Sequence, residues 1–137
     1  MPARLTHVAL FVRDVARTVD FYTRFAGLHV VHDRVDDTVR VVWLSEQAED
    51  PDFVIVAIGV SPGEQLAVPP HMAHFGYDLP SRAAVDAIAH RAETEGVLTQ
   101  GPADAGPIVG YFCMLRDPDG NLVEFSHGQP INPKHLS

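Results

Sequence analysis

The two halves of this chain repeat one pattern, and that repeat limits the folds open to it more than any other feature. Residues 5–12 (LTHVALFV) read as an apolar, β-branched strand, and Asp14 stands where a helix N-cap belongs. Val15, Val19, Tyr22 and Phe25 or Ala26 follow at helical spacing, and Gly27 closes the helix. Three strand-like runs come next, at about 28–34, 38–45 and 53–59. A Gly- and Pro-rich loop, 61–70, divides the chain, and the order then restarts. Residues 73–79 read as a strand. Ser81 caps a helix with Val85, Ile88, Ala89 and Ala92 on its inner face, and Gly96 ends it. Short runs at 97–99, 108–115 and 121–126 complete a second βαβββ unit. Laid over each other, the halves match His7 to His74, Gly27 to Gly96 and Gly59 to Gly128, with a drift of two residues. The expected fold is α+β: two tandem βαβββ modules. Module one spans about 1–60 and module two about 71–128, with a tail at 129–137, all within a single domain.

Strands alternate faces, so His7, Ala9 and Phe11 share one side of the first strand, as His74, Gly76 and Asp78 do in the second half. The bulky residues between them suit a covering helix, which leaves both histidines on the concave side. On the last strand Glu124 shares a face with Leu122 and Ser126. An unpaired acid inside an apolar strand costs several kcal/mol, and a bound metal removes that cost. Two imidazoles and one carboxylate form a facial triad with open coordination positions. His7, His74 and Glu124 are therefore the candidate ligands of one divalent ion, its identity left open among Fe, Mn, Ni, Zn and Co. His29, His32, His71, His90, His127 and His135 have no such counterpart and read as ordinary core or surface residues.

Charge and composition then narrow the partners. The formal charge of −8 argues against a nucleic-acid backbone. The single cysteine, Cys113, lies between Phe112 and Met114 and reads as a buried small hydrophobe, so no disulfide framework exists. No apolar leader or membrane-length run is present, and a cytoplasmic protein is expected.

The segments THVALFVRD (6–14), VDFY (19–22), AHFGY (73–77) and DPDGNLVEF (117–125) together resemble the vicinal oxygen chelate superfamily. That superfamily includes glyoxalase I, extradiol dioxygenases, fosfomycin-resistance transferases and bleomycin-resistance proteins. The resemblance implies that the two βαβββ modules form a U-shaped mixed sheet around a metal site, places His7, His74 and Glu124 on the metal-ligand positions, and implies a homodimer. It also marks departures. Glyoxalase I carries a fourth ligand, a Glu on the last strand of module one; matching Gly59 to Gly128 puts Ile55 there. It also has an Arg for glutathione where this chain has Phe11. Extradiol enzymes and fosfomycin transferases have a Tyr where this chain has Met114, with Tyr111 close by. The expected pocket is Ala9, Phe11, Ile55, Ala57, Gly76, Phe112, Met114 and Leu122, an apolar lining for a small oxygen-chelating substrate. Tyr111 and His127 are the candidate general bases, and 101–110 is a candidate lid. The resemblance implies a metal-dependent enzyme, dioxygenase-like or a glyoxalase-like lyase or isomerase. The alternative is a metal-free, drug-sequestering binder.

Overall fold

A computed structural model describes residues 4–60 and 73–132. The expected loop at 61–70, His71, His135 and the end of the tail lie outside the described residues. The chain divides into two compact units, residues 1–68 and 69–137.

In unit 1, β1 (His7–Val12) is followed by α1 (Val15–Ala26), β2 (His29–Asp36), β3 (Val39–Ser45) and β4 (Val54–Gly59). Its four strands form one mixed sheet in the order β1-β4-β3-β2, with β1 and β4 parallel. Unit 2 repeats this arrangement with β5 (His74–Asp78), α2 (Arg82–Thr94), β6 (Leu98–Asp104), β7 (Tyr111–Arg116) and β8 (Leu122–His127). Its order is β5-β8-β7-β6, with β5 and β8 parallel. The α+β class and the paired βαβββ modules are thus as expected. Among the described residues, no helix is long and apolar enough to cross a membrane.

Each helix begins where the sequence signals it. The Asp14 side chain accepts a hydrogen bond from the backbone N–H of Arg17, and Ser81 does the same for Ala84, both at 3.1 Å. Helix α1 buries Val15, Thr18, Phe21, Tyr22 and Phe25, and α2 buries Val85, Ala89 and Ala92. These faces pack on β3 and β4 in unit 1 and on β6, β7 and β8 in unit 2. Cys113 is fully buried between β7 and α2, and burial pushes its thiol up to about 12, so it is no nucleophile.

The candidate lid at 101–110 is reduced. Residues 101–104 belong to β6, where register shifts between Leu98 and Ala103 let the edge strand absorb Gly101 and Pro102. Gly110 is also pinned: at φ +84 a Cβ there would lie 2.5 Å from the carbonyl oxygen of His127. That approach ties the start of β7 to the end of β8. Gly110→Ala should therefore cost about 2 kcal/mol or more of unfolding free energy, measured by urea titration. An unchanged midpoint would show that the turn yields without strain.

Candidate metal centre

Unit 2 assembles an acid and an imidazole on the sheet face turned away from α2. Parallel pairing sets Gly76 beside Glu124 and His74 beside Leu122. Antiparallel pairing sets Met114 on the other side of Glu124, and Gln100 beyond it. Directly paired residues project to the same side, so Gly76, Glu124, Met114 and Gln100 form one row. A Cβ at Gly76 would sit in ordinary contact, 3.4 Å from Glu124 Oε1, so the glycine leaves open space beside the carboxyl. Phe112, Met114 and Leu122 make a buried apolar cluster on the same face, with Val109 packed against it.

Glu124 is only 5% exposed in this setting. Its Oε2 lies 4.0 Å from His74 Nε2, longer than a hydrogen bond. Donor atoms bound to one divalent ion at about 2.0–2.2 Å stand about 2.8–3.6 Å apart at octahedral or tetrahedral angles, so the two groups must draw together by roughly an ångström to share a metal. A cavity of about 350 Å³ opens here, bordered by His74, Gly76, Asp78, Glu124, Ser126 and Gln129. The turn before β8 fixes where Glu124 starts. Asp117 Oδ1 accepts from the backbone N–H of Asp119 and of Asn121, and Asp117 Oδ2 accepts from Asn121 Nδ2, all at 2.9 Å.

His7 occupies the equivalent position in unit 1, exposed, with its Nδ1 3.0 Å from Thr6 Oγ1. Among the described residues no group of three or more His, Cys, Asp and Glu side chains is gathered closely enough to hold a metal. The pair actually brought together is His74 with Glu124.

The register corrects the pocket in unit 1. Ile55 and Ala57 pair with Val8 and Leu10, on the opposite face from His7, Ala9 and Phe11. Gly59, next on their side, would place a Cβ 3.1 Å from Val15 of α1, so Ile55 and Ala57 face the helix. Val56, beside Ala9, holds the position that Glu124 holds beside Gly76. The fourth-ligand position therefore belongs to Val56 and not Ile55, and it is still aliphatic.

Both candidate bases also prove to lie on the wrong side. Tyr111 and His127 pair with each other across β7 and β8, one residue out of phase with the Glu124 face. The Tyr111 hydroxyl donates to Asp86 Oδ1 of α2, and the Arg82 guanidinium stands 4.7 Å over the Tyr111 ring. That hydrogen bond to Asp86 raises the phenol above its ordinary value and keeps it protonated. His127 Nδ1 is 2.9 Å from the Leu79 carbonyl oxygen. Both serve the helix-side packing.

A group not anticipated from sequence shares the His7 face. Ala9, Val56, Trp43 and His32 form one row across the sheet, and Phe11, Ile58, Val41 and Arg34 form the next. The periodicity of β2 and β3 hints at this, but a bulge between Val30 and His32 hides which histidine joins the face.

Comparison with known proteins agrees with this architecture. A family model described as the Glyoxalase/Bleomycin resistance protein/Dioxygenase superfamily matches residues 4–125. An uncharacterized protein of Pseudomonas aeruginosa is 44% identical over 133 residues, covering 97% of this chain and 94% of that protein. A mutant of the fosfomycin resistance protein FosX from Listeria monocytogenes, complexed with Mn(II) and 1S,2S-dihydroxypropylphosphonic acid, superposes with a TM-score of 0.75 at 20% identity, covering 100% of both chains. The trypanothione-dependent glyoxalase I of Leishmania major gives 0.76 at 18% identity, over 93% of this chain and 88% of that one. At such identities the two structures share the fold. With the family model spanning both modules, the chain belongs to the Glyoxalase/Bleomycin resistance protein/Dioxygenase superfamily.

Proposed function

We propose that this protein is a divalent-metal-dependent enzyme acting on a small, apolar or aromatic molecule that chelates through two oxygens. His7, His74 and Glu124 hold the ion. The observation that carries the reading is Glu124, buried in an apolar strand with His74 Nε2 at 4.0 Å. A cation beside that carboxyl offsets the cost of burying its charge. Mn(II) in the FosX complex supports a divalent ion. When bound, the ion supplies Lewis-acid stabilisation of charge developing on a chelating oxygen.

The chain's own residues do the rest. Glu124 neutralises charge and the histidines orient the ion. Ala9, Gly76 and Val56 offer no further donor atom, which leaves coordination positions to the substrate. Phe112, Met114 and Leu122 pack as a buried apolar cluster beside Glu124, and Phe11 adds an exposed aromatic ring in unit 1. A cytoplasmic homodimer, with both modules serving one domain, completes the proposal.

Metal analysis of untagged protein tests it first. Wild type should retain close to one divalent ion per chain. His7→Ala, His74→Ala and Glu124→Gln should each weaken binding more than about 100-fold, beyond what outer-shell changes produce. Tyr111→Phe and His127→Gln should leave metal affinity unchanged and lower only stability. A wild-type protein that takes up no metal and instead binds cationic drugs would establish the sequestering alternative, which the charge of −8 favours.

Substrate preference is a separate test. With Phe11 and Val56 where glyoxalase I has charged and ligating groups, a glutathione carboxylate meets no partner, at a cost of several kcal/mol. The metal-loaded protein should turn over the hemithioacetal of methylglyoxal and glutathione poorly and bind catechol more tightly, in steady-state assays and calorimetry. Efficient hemithioacetal turnover without catechol binding would reverse this assignment.

A further inference from the structure

The His7 face of unit 1 carries a second recognition element, away from the ligand positions. Trp43 is the single tryptophan of the chain and remains 36% exposed. His32 packs against it with ring centroids 4.8 Å apart, and the Arg34 guanidinium stands 5.8 Å from the centre of its ring. Asp36 Oδ2 accepts from Arg34 Nε at 2.9 Å, which steadies the arm and leaves its two Nη groups to donate elsewhere. Arg34 keeps a side-chain exposure of 40%.

An aromatic surface beside a fixed guanidinium binds a flat ring by stacking and an anion by a forked hydrogen bond. Asp36 offsets the Arg34 charge, so an anion is selected here by the geometry of the two Nη groups beside the Trp43 ring and not by net charge. Trp43 lies on the second strand from β1, across β4, so it stands about 10 Å from the strand that bears His7. His7 stands one row away from Ala9, Val56 and Trp43, so a ligand chelated near His7 would cross Ala9 and Val56 to reach Trp43.

We infer that Trp43, His32 and Arg34 form a subsite for the anionic group of a planar aromatic acid whose vicinal oxygens reach the metal. This deepens the proposed function and rests on it for the chelating end alone.

Trp43 emission provides the readout. Full-length protein, with and without Mn(II), is titrated with 3,4-dihydroxybenzoate and with catechol. The acid should perturb the emission and bind at least about tenfold tighter than catechol in both metal states. Arg34→Met should abolish that preference while leaving catechol affinity unchanged, and Arg34→Lys should restore part of it. Equal affinities, a preference that survives Arg34→Met, or silent Trp43 emission would each overturn the subsite. A preference that persists in a protein unable to bind any metal would remove the enzyme reading and leave the subsite standing. Metal binding without the preference would do the reverse.

Discussion

Each four-stranded sheet must satisfy two different neighbours at once, and the two-residue period of its strands decides which side chain serves which. One face has to be apolar and bulky enough to hold a helix; the other is free to carry polar groups. In β8, Val123 and Phe125 are fully buried on the side of α2, while Leu122, Glu124 and Ser126 take the other face. A slip of one residue would drive the carboxyl into the helix interface and expose the aromatic ring, so register and chemistry are locked together. The Asp117–Asn121 turn and the close approach at Gly110 hold that register at opposite ends of the β7–β8 pair.

The same period explains what could be foreseen and what could not. Element order, both N-caps and the placing of Glu124 beside apolar residues are local properties, written in spacing and turn chemistry. His127 also falls out of phase with Glu124 by simple counting, so its exclusion from the site is legible in the sequence. Tyr111 is different: its face follows from the antiparallel register of β7 on β8, which no local pattern supplies. Matching Gly59 to Gly128 as repeat anchors shifted β4 by one position, and a one-position shift exchanges Ile55 for Val56 and inverts the strand. The cluster around Trp43 was hidden for a related reason, since the bulge in β2 resets which of its residues lie beside β3.

The chain repeats one module and varies the residues on the face turned away from its helix. Unit 2 carries an acid and an imidazole beside an apolar cluster, and unit 1 carries an imidazole and an exposed aromatic surface with a cation. The pseudo-equivalent rows make the asymmetry plain. Gly76 beside Glu124 in one unit becomes Ala9 beside Val56 in the other, a single carboxylate replaced by hydrocarbon. Duplication gives two equivalent frames, and divergence at a few alternate positions gives them separate work.

The Asp117–Asn121 turn also bears on how the chain folds. Its hydrogen bonds join residues at most four apart, and the β7–β8 hairpin it closes needs little loop entropy to form. The parallel pairing of β5 with β8 joins residues at opposite ends of the second module and must close a far longer loop, with the intervening helix and strands inside it. Of the two groups that meet at 4.0 Å, the carboxylate is thus placed by contacts of low contact order and the imidazole by contacts of high contact order. A chain emerging slowly from synthesis holds the hairpin's acid within a short local structure, and the histidine, made long before it, has to return to meet it.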